Sequence, residues 1–205
     1  MNNLVITISR EFGSGGHKIG TMLSEKLGIP YYDKDLIKLA SEQSGINENL
    51  FGLADEKSKS SIFKKPKVYS GDITSPDSPN FTSDDNLFNY QAKVIKELAE
   101  QKSPCIIIGR CADFVLKDRE RTLRLFIWAD KKNCIKNTME VLGYDQKEAE
   151  KQIEKINRER SAYYKAHTGR EWDNARNYDF CINTSEHGFE KSTQIILDFI
   201  NVMYK

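Results

Sequence analysis

The chain has 205 residues, of which 39% are hydrophobic and 30% charged, and its formal net charge is +1. That length suits one α/β domain with a sizeable core. The even charge balance excludes bulk attraction to nucleic acid or to an anionic membrane, so any anion site must come from local clusters of Lys and Arg.

Four cysteines (Cys105, Cys111, Cys134 and Cys181) form no C-x-x-C pair, and the three histidines (His17, His167 and His187) are far apart. The cysteines read as small buried hydrophobes in a reducing compartment, and no metal-ligating set is assigned. No run of about 18 apolar residues occurs, and the first residues enter a strand-like run directly, so a cytoplasmic protein is expected.

The β-branched run Val5–Ile8 predicts a buried strand. Ile19, Met22, Leu23 and Leu27 share one face at helical spacing, and Gly28 stops that helix. "IPYYD" predicts a short second strand ending at Asp33, followed by helices over 35–44 and 47–54. Residues 55–83 are rich in Ser, Lys, Pro and Asp with little periodicity, which predicts a mobile functional loop or a disordered insert.

Asp84 or Asp85 caps a predicted helix reaching about residue 102. "PCIIIGR" and "TLRLFIWA" predict strands, with a short helix between them around Phe114. Helices are predicted over 131–142 and from Asp145 through "QKEAEKQIEKINRERSAYYKAH", then a last strand in "YDFCINTS" and a closing helix over 189–203. Strands alternating with long helices predict a parallel sheet with helices on both faces. In such sheets ligands bind beyond the carboxyl ends of the strands. The polar residues expected there are Ser9-Arg10, Asp33, Gly109-Arg110, Asp130 and Asn183-Thr184.

Between the first strand and helix lies "SREFGSGGHKIG". Glycines at 13, 15 and 16 allow backbone angles closed to other residues, so that successive N–H groups converge on an anion at a helix start. The same pattern also suits a mere tight turn.

"ITISREFGSGGHKIG…LSEKLGIPYYD", "IIIGRCADFVL", "INRERSAYYKAHTGREW" and "NYDFCINTS" together resemble the cytidylate kinase-like family, a divergent branch of the P-loop nucleoside monophosphate kinases. The resemblance spans about residues 4–200 and is weakest across 55–83. It implies a single domain over 1–205 with a three-layer P-loop NTPase-type core, a five-stranded parallel sheet and a helical lid. An acceptor-binding insert would occupy 34–103 and the lid 145–177. It also implies ATP and Mg²⁺ as cofactors, and a nucleotide donor with a small-molecule phosphate acceptor, CMP or dCMP first, as partners. Neither nucleic acid nor membrane is expected as a partner, and the state would be monomer or homodimer.

Laid over the G-P-S-G-A-G-K-G-T loop of bona fide cytidylate kinases, Gly16 takes the lysine's place and Arg10 that of the leading glycine. Gly13, Ser14, Gly15, Gly16 and His17 would form the cofactor cradle, with Asn183 and Thr184 near the adenine. Arg10 or Lys18 would replace the missing cation, Arg10 being favoured because a first-turn side chain tends to point away from the anion. The resemblance gives Asp33 and Arg110 to the acceptor, and Asp113 to a base contact or an ion pair with Arg110. It gives Arg158 and Arg160 to the lid. On a regular helix these two project about 200° apart, so either the helix breaks there or one of them serves Glu154 or Glu159. Tyr163, Tyr164 and Trp172 either pack the lid or stack on a base. Two rivals stay open: a nucleotide-binding regulatory protein without appreciable turnover, and a P-loop kinase with another acceptor.

Overall fold

The computed structural model describes residues 3–57, 68–101 and 103–204. Its elements in chain order are β1 (Val5–Arg10), α1 (Gly16–Leu27), β2 (Tyr31–Tyr32), α2 (Asp35–Ser44), α3 (Glu48–Lys57), α4 (Asp84–Glu100) and β3 (Cys105–Ile108). Then follow α5 (Ala112–Val115), β4 (Thr122–Trp128), α6 (Lys131–Leu142), α7 (Gln146–Thr168), β5 (Phe180–Asn183) and α8 (Thr184–Met203), with a 3₁₀ turn over Ala175–Asn177 before β5. The strands form one parallel sheet in the order β2-β3-β1-β4-β5, as the alternation of strands and helices predicts.

Apolar side chains leave both faces of the sheet, which is why its central strands read as continuous hydrophobic runs. Ile6, Ile8, Ile106, Ile108, Leu123 and Leu125 pack with Ile19 and Leu23 of α1 and Ile196 and Ile200 of α8. On the other face, Val5, Ile107 and Phe126 pack with Leu36 of α2 and with Phe88, Val94 and Ile95 of α4. Each fully buried side chain of this size contributes about 1.5–3 kcal/mol. Sheet cohesion therefore comes from these two layers, and the polar strand ends are left to other work.

Several expectations need adjusting. The helix α8 carries an extra turn from Thr184, capped by Asn183 accepting from Ser185 N; the non-helical Gly188 (φ 70°, ψ 174°) separates it from the helix that runs from 189 as expected. Cys105, Cys111 and Cys134 are buried, but Cys181 is exposed on the edge strand β5, contrary to its expected burial. Part of the expected loop over 55–83, residues 58–67, falls outside the described residues. Residues 68–83 hold neither helix nor strand yet are tied down: Tyr69 N donates to His167 O, and Thr74 N to Asn86 Oδ1. No helix among the described residues is long and apolar enough to cross a membrane.

Candidate functional site

The turn between β1 and α1 is shaped by two left-handed glycines, Gly13 (φ 79°) and Gly15 (φ 84°). Gly15 is the N-cap of α1 and supplies no side chain to it, and the first turn of the helix holds no acidic residue. The opening N–H groups of α1 therefore present their partial positive charge without a side-chain acceptor, which suits an anion.

The loop's other polar groups are turned inward and fix its shape. Ser14 is buried and its hydroxyl donates to Glu11 O. Asn137 of α6 donates to Gly13 O, and Thr184 donates its hydroxyl to Ser14 O at 2.8 Å. From α7, Asn157 Oδ1 accepts from Phe12 N and Arg160 Nη1 donates to Arg10 O, both at 2.8 Å. Thus Asn183 and Thr184 act as helix cap and loop anchor.

Beside this turn, beyond the carboxyl ends of β1 and β3, lies a cleft of about 260 Å³. Its lining is charged at Arg10, Asp33, Arg110, Glu159 and Arg160 and largely apolar at Ile156, Tyr163, Tyr164 and Trp172. Gly109, Arg110 and Cys111 hold φ of 67°, 55° and 53° in succession. Such a left-handed run costs about 1–2 kcal/mol for each non-glycine residue, and here it turns the chain off β3 so that Arg110 lines the cleft.

Arg10, Arg110 and Arg160 thus meet in one place. Burial lowers the pKa of Arg10, with Asp33 opposing and Arg110 adding to the shift. Arg160 falls to about 9, through burial and the repulsion of Arg10 and Arg110 against the pull of Asp33. Asp33, 4.0 Å from Arg10 Nη2, answers part of Arg10's charge. Close cations that repel one another in this way are what an incoming anion relieves.

The remaining candidates are placed elsewhere. His17 is exposed, with Nδ1 2.7 Å from the Tyr31 hydroxyl and 3.5 Å from Asp33 Oδ2. Lys18 Nζ lies 4.9 Å over the Phe189 ring of α8, outside the arginine cleft. The helix α7 runs unbroken through 158–160, so Arg160 turns into the cleft while Arg158 is exposed. Asp113 is buried in α5 beneath the cleft, accepting from the Tyr164 hydroxyl at 2.6 Å and Ser9 Oγ at 3.5 Å. Burial pushes its carboxyl up to about 6 against those hydrogen bonds. Tyr164 therefore has a polar anchor as well as an apolar body, and Trp172 packs edge-on against Phe126. Asn157 did not stand out in the sequence; its only signal is its place three residues before Arg160, one turn away on the same helix face.

The chain's sequence matches the cytidylate kinase-like family over residues 5–186. Among solved structures it is similar to an uncharacterized protein from Eubacterium ventriosum, at 27% identity and TM-score 0.70, covering 97% of this chain and 98% of that one. Shikimate kinase from Bacteroides thetaiotaomicron is similar in fold at 13% identity and TM-score 0.55, covering 97% and 98% of the two chains. Shikimate kinase from Acinetobacter baumannii, solved with shikimate, gives 14% identity and TM-score 0.53 over 98% and 96%. No protein of curated function matches it. With the sheet, the glycine turn and four separated motifs in agreement with a match over most of its length, the chain belongs to the cytidylate kinase-like family.

Proposed function

We propose that this protein transfers a phosphoryl group from ATP to a nucleoside monophosphate, with CMP or dCMP the first acceptor to test. The observation that carries the reading is the meeting of Arg10, Arg110 and Arg160 in one cleft beside the uncapped start of α1. ATP supplies the transferable γ-phosphoryl, which passes to an acceptor phosphate oxygen and leaves ADP, and Mg²⁺, when bound, would neutralise charge on the donor.

The described residues suit such ligands in a particular way. The first-turn amides of α1 and the left-handed glycines favour the donor phosphates. No cluster of three or more metal-ligating side chains occurs among the described residues, so Mg²⁺ would be held chiefly by the phosphates, with Asp33 a carboxylate close to the arginines. Arg110 and Arg160 grip the acceptor's phosphate, for which guanidinium is suited by its fork of donors. Because that acceptor is already an anion, no strong general base is required, and positioning with charge neutralisation does most of the work. Ile156, Tyr163 and Trp172, which line the same cleft, exclude water from it.

The test is ADP release from Mg·ATP against CMP, dCMP, other monophosphates and shikimate. CMP or dCMP should be turned over, and Arg110→Ala should lower kcat/KM by about 100-fold, in line with loss of one preorganised charge contact. Turnover of shikimate alone would move the assignment to a hydroxyl acceptor. Tight ATP binding with no acceptor turned over would favour a regulatory nucleotide-binding protein, the reading that the glycine at position 16 supports.

A further inference from the structure

Gly13 and Gly15 are glycines because their backbone angles are left-handed, but Gly16 is not among the left-handed glycines. It opens a helix, where glycine is a poor residue, so its reason must be steric. A Cβ on Gly16 would lie 2.5 Å from Arg10 Cβ and 2.8 Å from Arg10 Cγ. The Cβ of Arg10 is fixed to the backbone of β1 and cannot swing aside. At the other end of the same side chain, a Cβ on Gly109 would lie 2.4 Å from Arg10 Nη1. Gly109 is already held to glycine by its φ of 67°, so it is Gly16 that clears the stem of Arg10, and the guanidinium ends beside Gly109, just past β3.

We infer that positions 10 and 16 share a single side-chain slot, and that this chain fills it with a cation from the end of β1 instead of the start of α1. The kinase loop pattern has glycine at the first of these positions and lysine at the second; here the two are exchanged. An arginine at 10 and a lysine at 16 exclude one another, so Gly16 is the partner of Arg10 and the loop is not a decayed one. The exchange also moves the charge. Arg10's guanidinium lies against Gly109 and 4.0 Å from Asp33, on the border between the glycine turn and the arginine cleft, where it contacts the phosphates of a bound donor. This inference rests on the proposed phosphotransfer for its purpose, but not for its geometry.

The experiment is a cycle of variants (G16A, R10G, R10G/G16A, G16K and R10G/G16K) read by thermal unfolding and by calorimetric binding of Mg²⁺-tripolyphosphate, a probe without a base. G16A should lower Tm by about 4 °C or more in the parent, as overpacking does, and by much less in the R10G background. R10G should weaken tripolyphosphate about 10-fold or more, and R10G/G16K should recover most of that binding while G16K alone loses both stability and affinity. R10K, which keeps the aliphatic stem, supplies a folded comparator if R10G unfolds: G16A should still destabilise it. Equal tolerance of G16A in the parent and R10G backgrounds would overturn the shared slot. Unchanged tripolyphosphate binding in R10G, or in the neutral R10Q where R10G unfolds, would overturn Arg10 as the cation. Coupling and lost binding without turnover of any acceptor would leave this inference standing and remove the kinase reading alone.

Discussion

The hydroxyl of Thr184 reaches across 170 residues of sequence to the carbonyl of Ser14, and both residues are buried. Replacing it by valine keeps the shape and leaves that carbonyl without its donor, which costs about 1–3 kcal/mol. T184V is therefore expected to lose that much unfolding free energy and to unfold at a lower urea concentration, while T184S, which retains the hydroxyl, should lose less. A T184V protein as stable as its parent would mean that the loop finds its shape without α8. Sequence placed Thr184 rightly at a strand's carboxyl end, but its partner was invisible, because nothing local records which carbonyl lies opposite. Asp113 teaches the same lesson. A base contact or an ion pair with Arg110 was expected of it, and after the turn through Gly109–Cys111 it lies buried, accepting from the hydroxyls of Tyr164 and Ser9.

The helix α7 shows what periodicity and capping reveal and what they omit. Asp145 and Glu148 form a capping box at its start, and Gly169 closes it in a left-handed C-cap, so its ends were legible. Helices α2 and α6 fell on their expected bounds for the same reason: lone glycines, Gly45 and Gly143, stop them. The face that α7 turns to the site is carried by a sparse stripe, Ala149, Ile153, Tyr164 and His167, all buried at helical spacing. Position 160 falls on that stripe and 158 on the opposite side, but the charges around it mask the pattern, and the contact with Arg10 O makes the choice of Arg160 plain. Asn157 and Arg160 bind adjacent parts of one loop, Phe12 N and Arg10 O, so α7 and the glycine turn behave as one body. N157A should cost about 1–3 kcal/mol for the amide left without its acceptor and should weaken Mg·ATP binding, whereas N157D keeps an acceptor and should retain most of the stability. Loss of stability in N157A with unchanged nucleotide affinity would separate the helix contact from the loop's binding shape.

At the scale of the whole molecule, two buried titrating groups anchored to the C-terminal part of α7 pull stability in opposite directions. Asp113 faces Ser9, Tyr164 and Tyr178, and burial raises it from 3.8 to about 6. Between those values the folded state holds a proton that the unfolded chain has lost, so this group makes stability fall as pH rises. His167 is stacked on Phe88 at 4.1 Å, and burial lowers it from 6.5 to about 4 against the pull of Asp85. Between about pH 4 and 6.5 the unfolded chain holds the extra proton, so this group makes stability rise with pH. Each slope is at most about 1.4 kcal/mol per pH unit, and over the shared window they largely offset one another. Urea unfolding from pH 4 to 7 should therefore find a steeper gain of stability with pH in D113N than in the parent. It should find a shallower or reversed gain in H167F, which keeps an aromatic ring against Phe88. Slopes that move the same way in both variants would show that one of these groups does not titrate inside the fold. The opposed signs also bear on the site, because Tyr163 and Tyr164, which line the cleft, rest on His167 and Asp113 respectively. As pH falls from 7 towards 4, protonation relieves the burial of Asp113 beside Tyr164, while His167 beside Tyr163 increasingly resists its own. Acid should therefore loosen this part of the cleft through His167 alone, and the loss of hydrogen-exchange protection of residues 159–168 from pH 7 to pH 5 should be larger in D113N and smaller in H167F than in the parent.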